Sequence, residues 1–220
     1  MTDEHPPQPA LPIRTVAVFA MIAAVLAVAS FLMRGQPSSS RATDKDESRF
    51  ADFLIPEFQL TSQRGETIDQ TILDGEDTIV AFVFTHCPFI CPGMFTQMKN
   101  IQEATADTSL RFLAISVDPT HDTPERLREY AELRGLDTQR FTLATGPVAE
   151  VNRILAGVGL AIQVDDSVQI TLPDGSTMQN IAHPGRLIWI GADRRPRRMP
   201  SFDDEAAIQS LIAQARSDLG

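Results

Sequence analysis

An apolar run, Thr78-Ile-Val-Ala-Phe-Val-Phe84, leads into the only two cysteines of the chain, Cys87 and Cys91. A short continuous apolar run of this kind reads as a buried strand. Pro92 follows Cys91, and proline is favoured in the first turn of a helix. The chain is therefore expected to turn from strand to helix at this point and to carry two thiols there, about one helical turn apart. A helix N-terminus favours thiolate over thiol, so sulfur placed at such a junction suits chemistry more than packing. A purely structural disulfide is a poor alternative, because it would close a very short loop and gain little from it.

The rest of the chain alternates strand and helix signals. Phe58-Gln-Leu60, then Gly65 and Thr67-Ile68, has the pattern of a short hairpin. Pro92 to about Ala104 should be helix, and Leu110-Arg-Phe-Leu-Ala-Ile-Ser-Val117 a second apolar strand ended by Asp118-Pro119. Thr123-Pro124-Glu125 opens a helix, with Thr123 as N-cap, Pro124 at the first helical position and Gly135 as the stop. Phe141-Thr-Leu143 suggests a short strand, and Pro147 opens a helix through Leu155. Val168 to Leu172, Asp174-Gly175 and Leu187 to Ile190 suggest strands, with a turn around His183. Ala206 to Leu219 reads as a last amphipathic helix. Strands alternating with helices, plus a late hairpin, point to an α/β fold.

The N-terminal part has a different character. Thr15 to Met33 carries no charge and is flanked by Arg14 and Arg34. Such a run is long enough to cross a hydrocarbon core of roughly 30 Å as a helix. Ala27-Val28-Ala29 resembles a signal-peptidase site, but the apolar run continues through Phe31-Leu32-Met33, which favours an uncleaved anchor. Asp3 and Glu4 argue against a mitochondrial transit peptide, leaving a bacterial inner-membrane protein as the expectation. Gln36 to Glu47 is polar and Ser-rich, as a linker would be. The expected organisation is a cytoplasmic segment at 1–14, a transmembrane anchor at 15–33, a linker at 34–49 and one folded domain at 50–220. The positive-inside rule alone weakly opposes export of that domain, but long domains translocate largely regardless of flanking charge. A net charge of −10 over 220 residues argues against nucleic-acid binding.

The two thiols can serve one metal or close reversibly into a disulfide. At i and i+4 of an ideal helix they would be too far apart to bond, so Cys87 must sit partly in the loop if the pair is to close. Soft sulfur donors select monovalent copper, among others. Of the four histidines, His5 precedes the anchor, His86 abuts Cys87, His121 lies in the Asp118–Pro124 loop, and His183 stands just before the Leu187 strand. His183 is a candidate ligand from its position; the plainer alternative is a loop or packing histidine. Met94 and Met98 share a helical face with Cys91, a spacing more typical of core. Asp118 is a candidate for orienting a ligand, whereas strand termination and helix capping suffice for Asp122. Arg194, Arg195, Arg197 and Arg198 form a basic run, either a solvated turn or a docking patch for acidic lipid or protein.

Phe84-Thr-His-Cys-Pro-Phe-Ile-Cys-Pro92, followed by Ser116-Val-Asp-Pro-Thr-His-Asp-Thr-Pro-Glu-Arg-Leu-Arg-Glu-Tyr130 and a late histidine before a strand, resembles the Sco/SenC family. The resemblance runs from about Phe50 to the C-terminus. It implies a thioredoxin-like central sheet flanked by helices, with one membrane anchor. It also implies a copper ion held by Cys87, Cys91 and His183. By the same likeness, the chain would help assemble the dinuclear copper centre of cytochrome c oxidase. The acceptor subunit and other copper chaperones would be its partners, and the domain would lie in the periplasm. The chain departs from the family pattern at Phe89, where an aspartate is common. If the site is redox active instead, Cys87 and Cys91 become the catalytic pair of a thiol–disulfide reductase. A copper or redox sensor would use the same residues.

Overall fold

The computed structural model describes residue 50 and residues 52–220. The expected anchor at 15–33, the segment before it and nearly all of the linker lie outside the described residues. Among the described residues nine strands run in chain order: β1 (Gln59–Ser62), β2 (Thr67–Asp69), β3 (Thr78–Val83), β4 (Arg111–Ser116), β5 (Phe141–Thr145), β6 (Gln163–Thr171), β7 (Thr177–Ala182), β8 (Ile188–Ile190) and β9 (Pro196–Arg198). Within the same residues these are joined by helices α1 (Cys91–Ala104), α2 (Pro124–Arg134), α3 (Val148–Gly157) and α4 (Glu205–Leu219). A single 3₁₀ turn, Gln70–Leu73, follows β2.

The main sheet has the order β2-β1-β5-β4-β3-β8-β9, and β6 and β7 form a separate antiparallel hairpin. Strands β3, β4 and β5 are parallel neighbours. A parallel pair needs a crossover between its strands; α1 supplies it from β3 to β4, and α2 from β4 to β5. Every residue of β3 is buried. That explains why its sequence is a continuous apolar run and not an alternating one: both faces of the sheet are covered.

Helix α1 buries Cys91, Met94, Phe95, Met98 and Ile101, the three-and-four spacing of a single face. Phe95 lies 5.0 Å from Tyr130 of α2 and 6.2 Å from Phe141 of β5, ring centre to ring centre. Met94 and Met98 are fully buried core residues, as their spacing indicates. The start of α2 is fixed by the Thr123 hydroxyl, which accepts the Arg126 N–H at 3.2 Å. Its end is Gly135, whose φ of 60° is left-handed and suits glycine.

The aligned register of β3 and β4, Val83 opposite Ser116, brings two loops to one edge of the sheet. One is the cysteine loop after β3; the other is the Val117–Thr123 loop after β4. Open α/β sheets place their ligands at the carboxyl ends of parallel strands.

The basic run divides: Arg194 and Arg195 lie in the expected turn, and Arg197 and Arg198 lie in a strand. Pro196–Arg198 is the edge strand β9, a place that tolerates proline. Arg194 faces Asp74 at 3.4 Å, Arg197 faces Asp193 at 3.1 Å, and Arg198 donates to Ser210 and Gln214 of α4. These side chains join β9 to its surroundings.

Candidate metal centre

Cys91 is the first residue of α1, and Cys87 lies in the loop before it, as the geometry of a closable pair requires. Both thiols are free and buried. His183 leaves the end of β7 and arrives over the same loop. The two sulfurs and one imidazole nitrogen all lie within 4.8 Å of one another. His183 Nε2 is 3.2 Å from Cys91 Sγ. Cys91 Sγ also accepts the backbone N–H of Phe84 at 3.5 Å, which ties it to the end of β3. The Phe84 ring meets the His183 ring edge-on at 5.6 Å.

The two thiols differ electrostatically. The Cys87 pKa is pulled well below the usual thiol value, first by the hydrogen bond from Cys91; burial opposes this and His183 assists it. Cys91 is pushed up, first by its burial and then by the neighbouring Cys87. The pair therefore stands as a Cys87 thiolate receiving the Cys91 S–H.

The loop bearing His183 is held from outside the sheet. Phe202 N–H donates to the Gly185 carbonyl at 3.0 Å, and Leu187 N–H to the Pro200 carbonyl at 3.0 Å. The Phe202 ring lies against Gly93 of α1 and against Gly185, so close that a Cβ at either position would stand 2.7 or 2.9 Å from it. Glycine at both places lets one ring pin the histidine loop to the cysteine helix.

Metal–sulfur and metal–imidazole bonds are about 2.0–2.3 Å, so donors sharing one ion lie within about 4.6 Å of one another. The observed cluster is close to that span. His183 Nδ1 is buried and has no hydrogen-bond partner among the described residues. Two sulfurs with one imidazole make a soft donor set that fits copper or zinc.

Asp122 is the functional neighbour that sequence reasoning missed. Its carboxylate is fully buried and accepts three groups: Thr85 N–H at 3.1 Å, Thr85 O–H at 2.6 Å and Ser116 O–H at 2.5 Å. It thereby ties the second residue after β3 to the end of β4, beneath the cysteine loop. The capping role expected of it belongs to Thr123. Asp118, expected to orient a ligand, pairs instead with His121 at 2.8 Å. His86 occupies the turn beside Cys87 and packs on His121, outside the Cys-Cys-His cluster.

An α/β domain with a central sheet flanked by helices, carrying two cysteines at a strand-to-helix turn and a facing histidine, is a thioredoxin-like domain with a soft donor set that could hold a metal ion. The SCO1/SenC family model matches residues 46–217, and the chain belongs to that family. A putative copper-binding protein of Stutzerimonas stutzeri is 29% identical over 142 residues, covering 63% of this chain and 65% of that protein. The chain thus spans slightly less than two thirds of that relative. The structure of Bradyrhizobium japonicum ScoI with copper bound is similar at a TM-score of 0.58 and 22% identity, covering 74% of this chain and 99% of that one. BsSco, described as a member of the Sco family of cytochrome c oxidase assembly proteins with a disulfide switch, is similar at a TM-score of 0.60 and 22% identity. It covers 76% of this chain and 93% of that one.

Proposed function

We propose that this chain is a membrane-tethered copper chaperone that carries a copper ion on Cys87, Cys91 and His183. The observation that carries the reading is the approach of His183 Nε2 to Cys91 Sγ, 3.2 Å, inside a Cys-Cys-His cluster. Copper is the cargo, and a copper-bound Sco neighbour and a copper-binding relative support that choice. The acceptor in this reading is the copper-binding subunit of cytochrome c oxidase, in keeping with the assembly role ascribed to BsSco. The anchor at 15–33, the linker at 34–49 and the domain at 50–220 would place the site on the periplasmic side of a bacterial inner membrane. A tether of this kind raises the local concentration of donor near a membrane-bound acceptor.

The site's own residues suit uptake and release. Cys91 is wholly buried and fixed at the helix start, while Cys87 and His183 sit at the more accessible edge. Incoming ligands would therefore reach the ion past Cys87 and His183, with Cys91 as the last donor to leave. Ligation needs deprotonated sulfur and neutral imidazole, and the depressed Cys87 pKa supplies the first. Anaerobic Cu(I) titration of the reduced full chain, with chelator competition, tests the site. One tightly held copper should be lost in Cys87→Ser and Cys91→Ser and weakened in His183→Ala. Unchanged stoichiometry in the cysteine variants would sink it.

The opposed thiol pKa values favour a second reading, reduction of a partner's disulfide. The Cys87 thiolate would attack one sulfur of that disulfide and release the other as thiolate. Cys91, losing its proton, would then attack Cys87 Sγ, leaving a Cys87–Cys91 disulfide and a partner reduced by two electrons. His183→Ala separates the two readings, since it should impair copper retention and spare disulfide exchange.

A further inference from the structure

Beside the sulfur site, two imidazoles and a carboxylate form a cluster that the copper reading leaves unused. Asp118, at the end of β4, is buried, and its carboxylate accepts the His121 Nδ1–H at 2.8 and 3.0 Å from its two oxygens. That bond fixes the tautomer and leaves the Nε2 lone pair of His121 available. Metal-ligating histidines are commonly oriented in this way. The His86 ring lies 5.7 Å from the His121 ring, centre to centre, with the planes at 81°. His86 Nδ1 is buried and has no hydrogen-bond partner among the described residues.

We propose that His86 and His121, with Asp118 holding His121 in place, form a second metal site that takes a divalent late transition-metal ion, Cu(II) foremost. Metal–imidazole bonds are about 2.0–2.1 Å, so two nitrogens on one ion lie up to about 4 Å apart, within reach of rings spaced like these. A side-chain rotation that turns the His86 ring toward the His121 Nε2 completes the pair. The neighbouring charge favours a cation: Asp118 and Asp122 lie in the loop after β4, and Asp174 on the β6–β7 turn is near enough for its charge to interact with His121. Against these three carboxylates stands Arg126, whose guanidinium is engaged on the Thr85 hydroxyl at 3.2 Å. Imidazole is a borderline donor, and affinity for divalent ions at such sites peaks at Cu(II). Softness therefore sorts the two sites, nitrogen at His86 and His121, sulfur at Cys87 and Cys91. The nitrogen site stands one residue from the sulfur site, yet does not depend on it.

The test uses the full chain with His5→Ala, Cys87→Ser, Cys91→Ser and His183→Ala, which leaves His86 and His121 as its histidines. Cu(II) alone is titrated against a chelator, and nitrogen hyperfine coupling is read by electron paramagnetic resonance. The expected result is one Cu(II) per chain with two imidazole nitrogens. His86→Gln and His121→Gln should each weaken it at least tenfold, and Asp118→Asn by about tenfold. Affinity unmoved by either histidine variant, or no bound Cu(II) in a chain whose circular dichroism matches wild type, would overturn the proposal. The wild-type chain with Cys87 and Cys91 oxidised to a disulfide gives a second reading without any substitution. Cu(II) should then broaden the ring resonances of His86 and His121, and broadening confined to His5 or His183 counts against the site. Cu(I) held by the sulfurs in the His86→Gln and His121→Gln chains would leave the delivery reading intact.

Discussion

His183 Nε2 stands 3.2 Å from Cys91 Sγ across 92 residues of sequence. Two separate devices bring them together. The strand β3 and its bond from Phe84 N–H set the sulfur, and the Gly185–Phe202 contact sets the histidine loop. Neither device contributes a donor atom of its own to the Cys-Cys-His cluster.

The two thiols are unequal. Cys87 has its pKa drawn down to about 4, chiefly by the Cys91 S–H, while Cys91 is pushed up by burial. The thiolate is the nucleophile. In the reduced, metal-free chain, alkylation by iodoacetamide should therefore fall on Cys87 and stay nearly constant from pH 8 down to about 5, then drop. Peptide mapping after brief alkylation identifies the residue. A rate that climbs tenfold per pH unit between pH 6 and 8 would show an ordinary thiol.

Phe89 allows that electrostatic account to be perturbed without touching a ligand. Its side chain is 58% exposed, two residues from Cys87. Phe89→Asp should leave stability within about 0.5 kcal/mol of wild type, because an exposed site carries little packing. The new carboxylate disfavours a nearby thiolate, so the Cys87 pKa should rise. The alkylation profile of the variant should shift to higher pH. An unchanged profile would mean that the loop holds residue 89 too far from the sulfur to act on it.

Much of this architecture was legible in the sequence, for reasons that differ from element to element. β3 and β4 announced themselves because a strand covered on both faces must be apolar throughout. The limits of α2 were visible because Thr123 and Gly135 perform local backbone chemistry. β9 was not legible: Pro196, Arg197 and Arg198 have little strand propensity, and the strand exists through its pairing with β8 and its contacts to α4. β6 also starts earlier than its apolar residues suggest, at Gln163, because its partner is a hairpin strand and its polar residues face solvent. At the site, the cysteine pair was legible from its strand-to-helix junction, whereas the full set with His183 came through the resemblance to a family. The role of Asp122 was hidden, since a buried carboxylate and a capping one look alike in sequence.

Asp122 should reveal itself in the pH dependence of stability. Burial raises its pKa above the ordinary carboxylate value of 3.8, against the lowering effect of its bonds from Ser116 and Thr85. Between the unfolded value and the raised folded value, the native state binds more protons than the unfolded chain. Stability contributed by this group is therefore present below the unfolded pKa and is lost as pH rises through the folded pKa. Asp122→Ala should remove that slope and also leave three donors without an acceptor, lowering stability by about 2–4 kcal/mol. Asp122→Asn keeps one oxygen acceptor and should lose less. Urea unfolding at a series of pH values from 4 to 7 measures both effects. A wild-type slope retained in both variants would assign it to another group.

The Phe202 slot makes the most demanding prediction, because it separates positioning from packing. The ring sits between Gly93 on α1 and Gly185 in the histidine loop, and a Cβ at Gly185 would meet it at 2.9 and 3.0 Å. On its other side the ring already lies close over Gly93, where a Cβ would stand 2.7 Å from it, so it has little room to shift toward α1. Gly185→Ala should therefore push the loop as well as the ring, and His183 lies two residues away. Overpacking of this kind costs about 1–3 kcal/mol. The copper affinity of the sulfur site should fall with it, by about tenfold if His183 is displaced from Cys91. Phe202→Leu narrows the wedge, so the Gly185→Ala, Phe202→Leu chain should recover part of the affinity lost in Gly185→Ala alone, a non-additive result expected of residues in contact. Thermal unfolding and Cu(I) competition on the four chains of this cycle give both readings. Strict additivity in affinity would mean that the histidine loop is held by something other than the aromatic wedge.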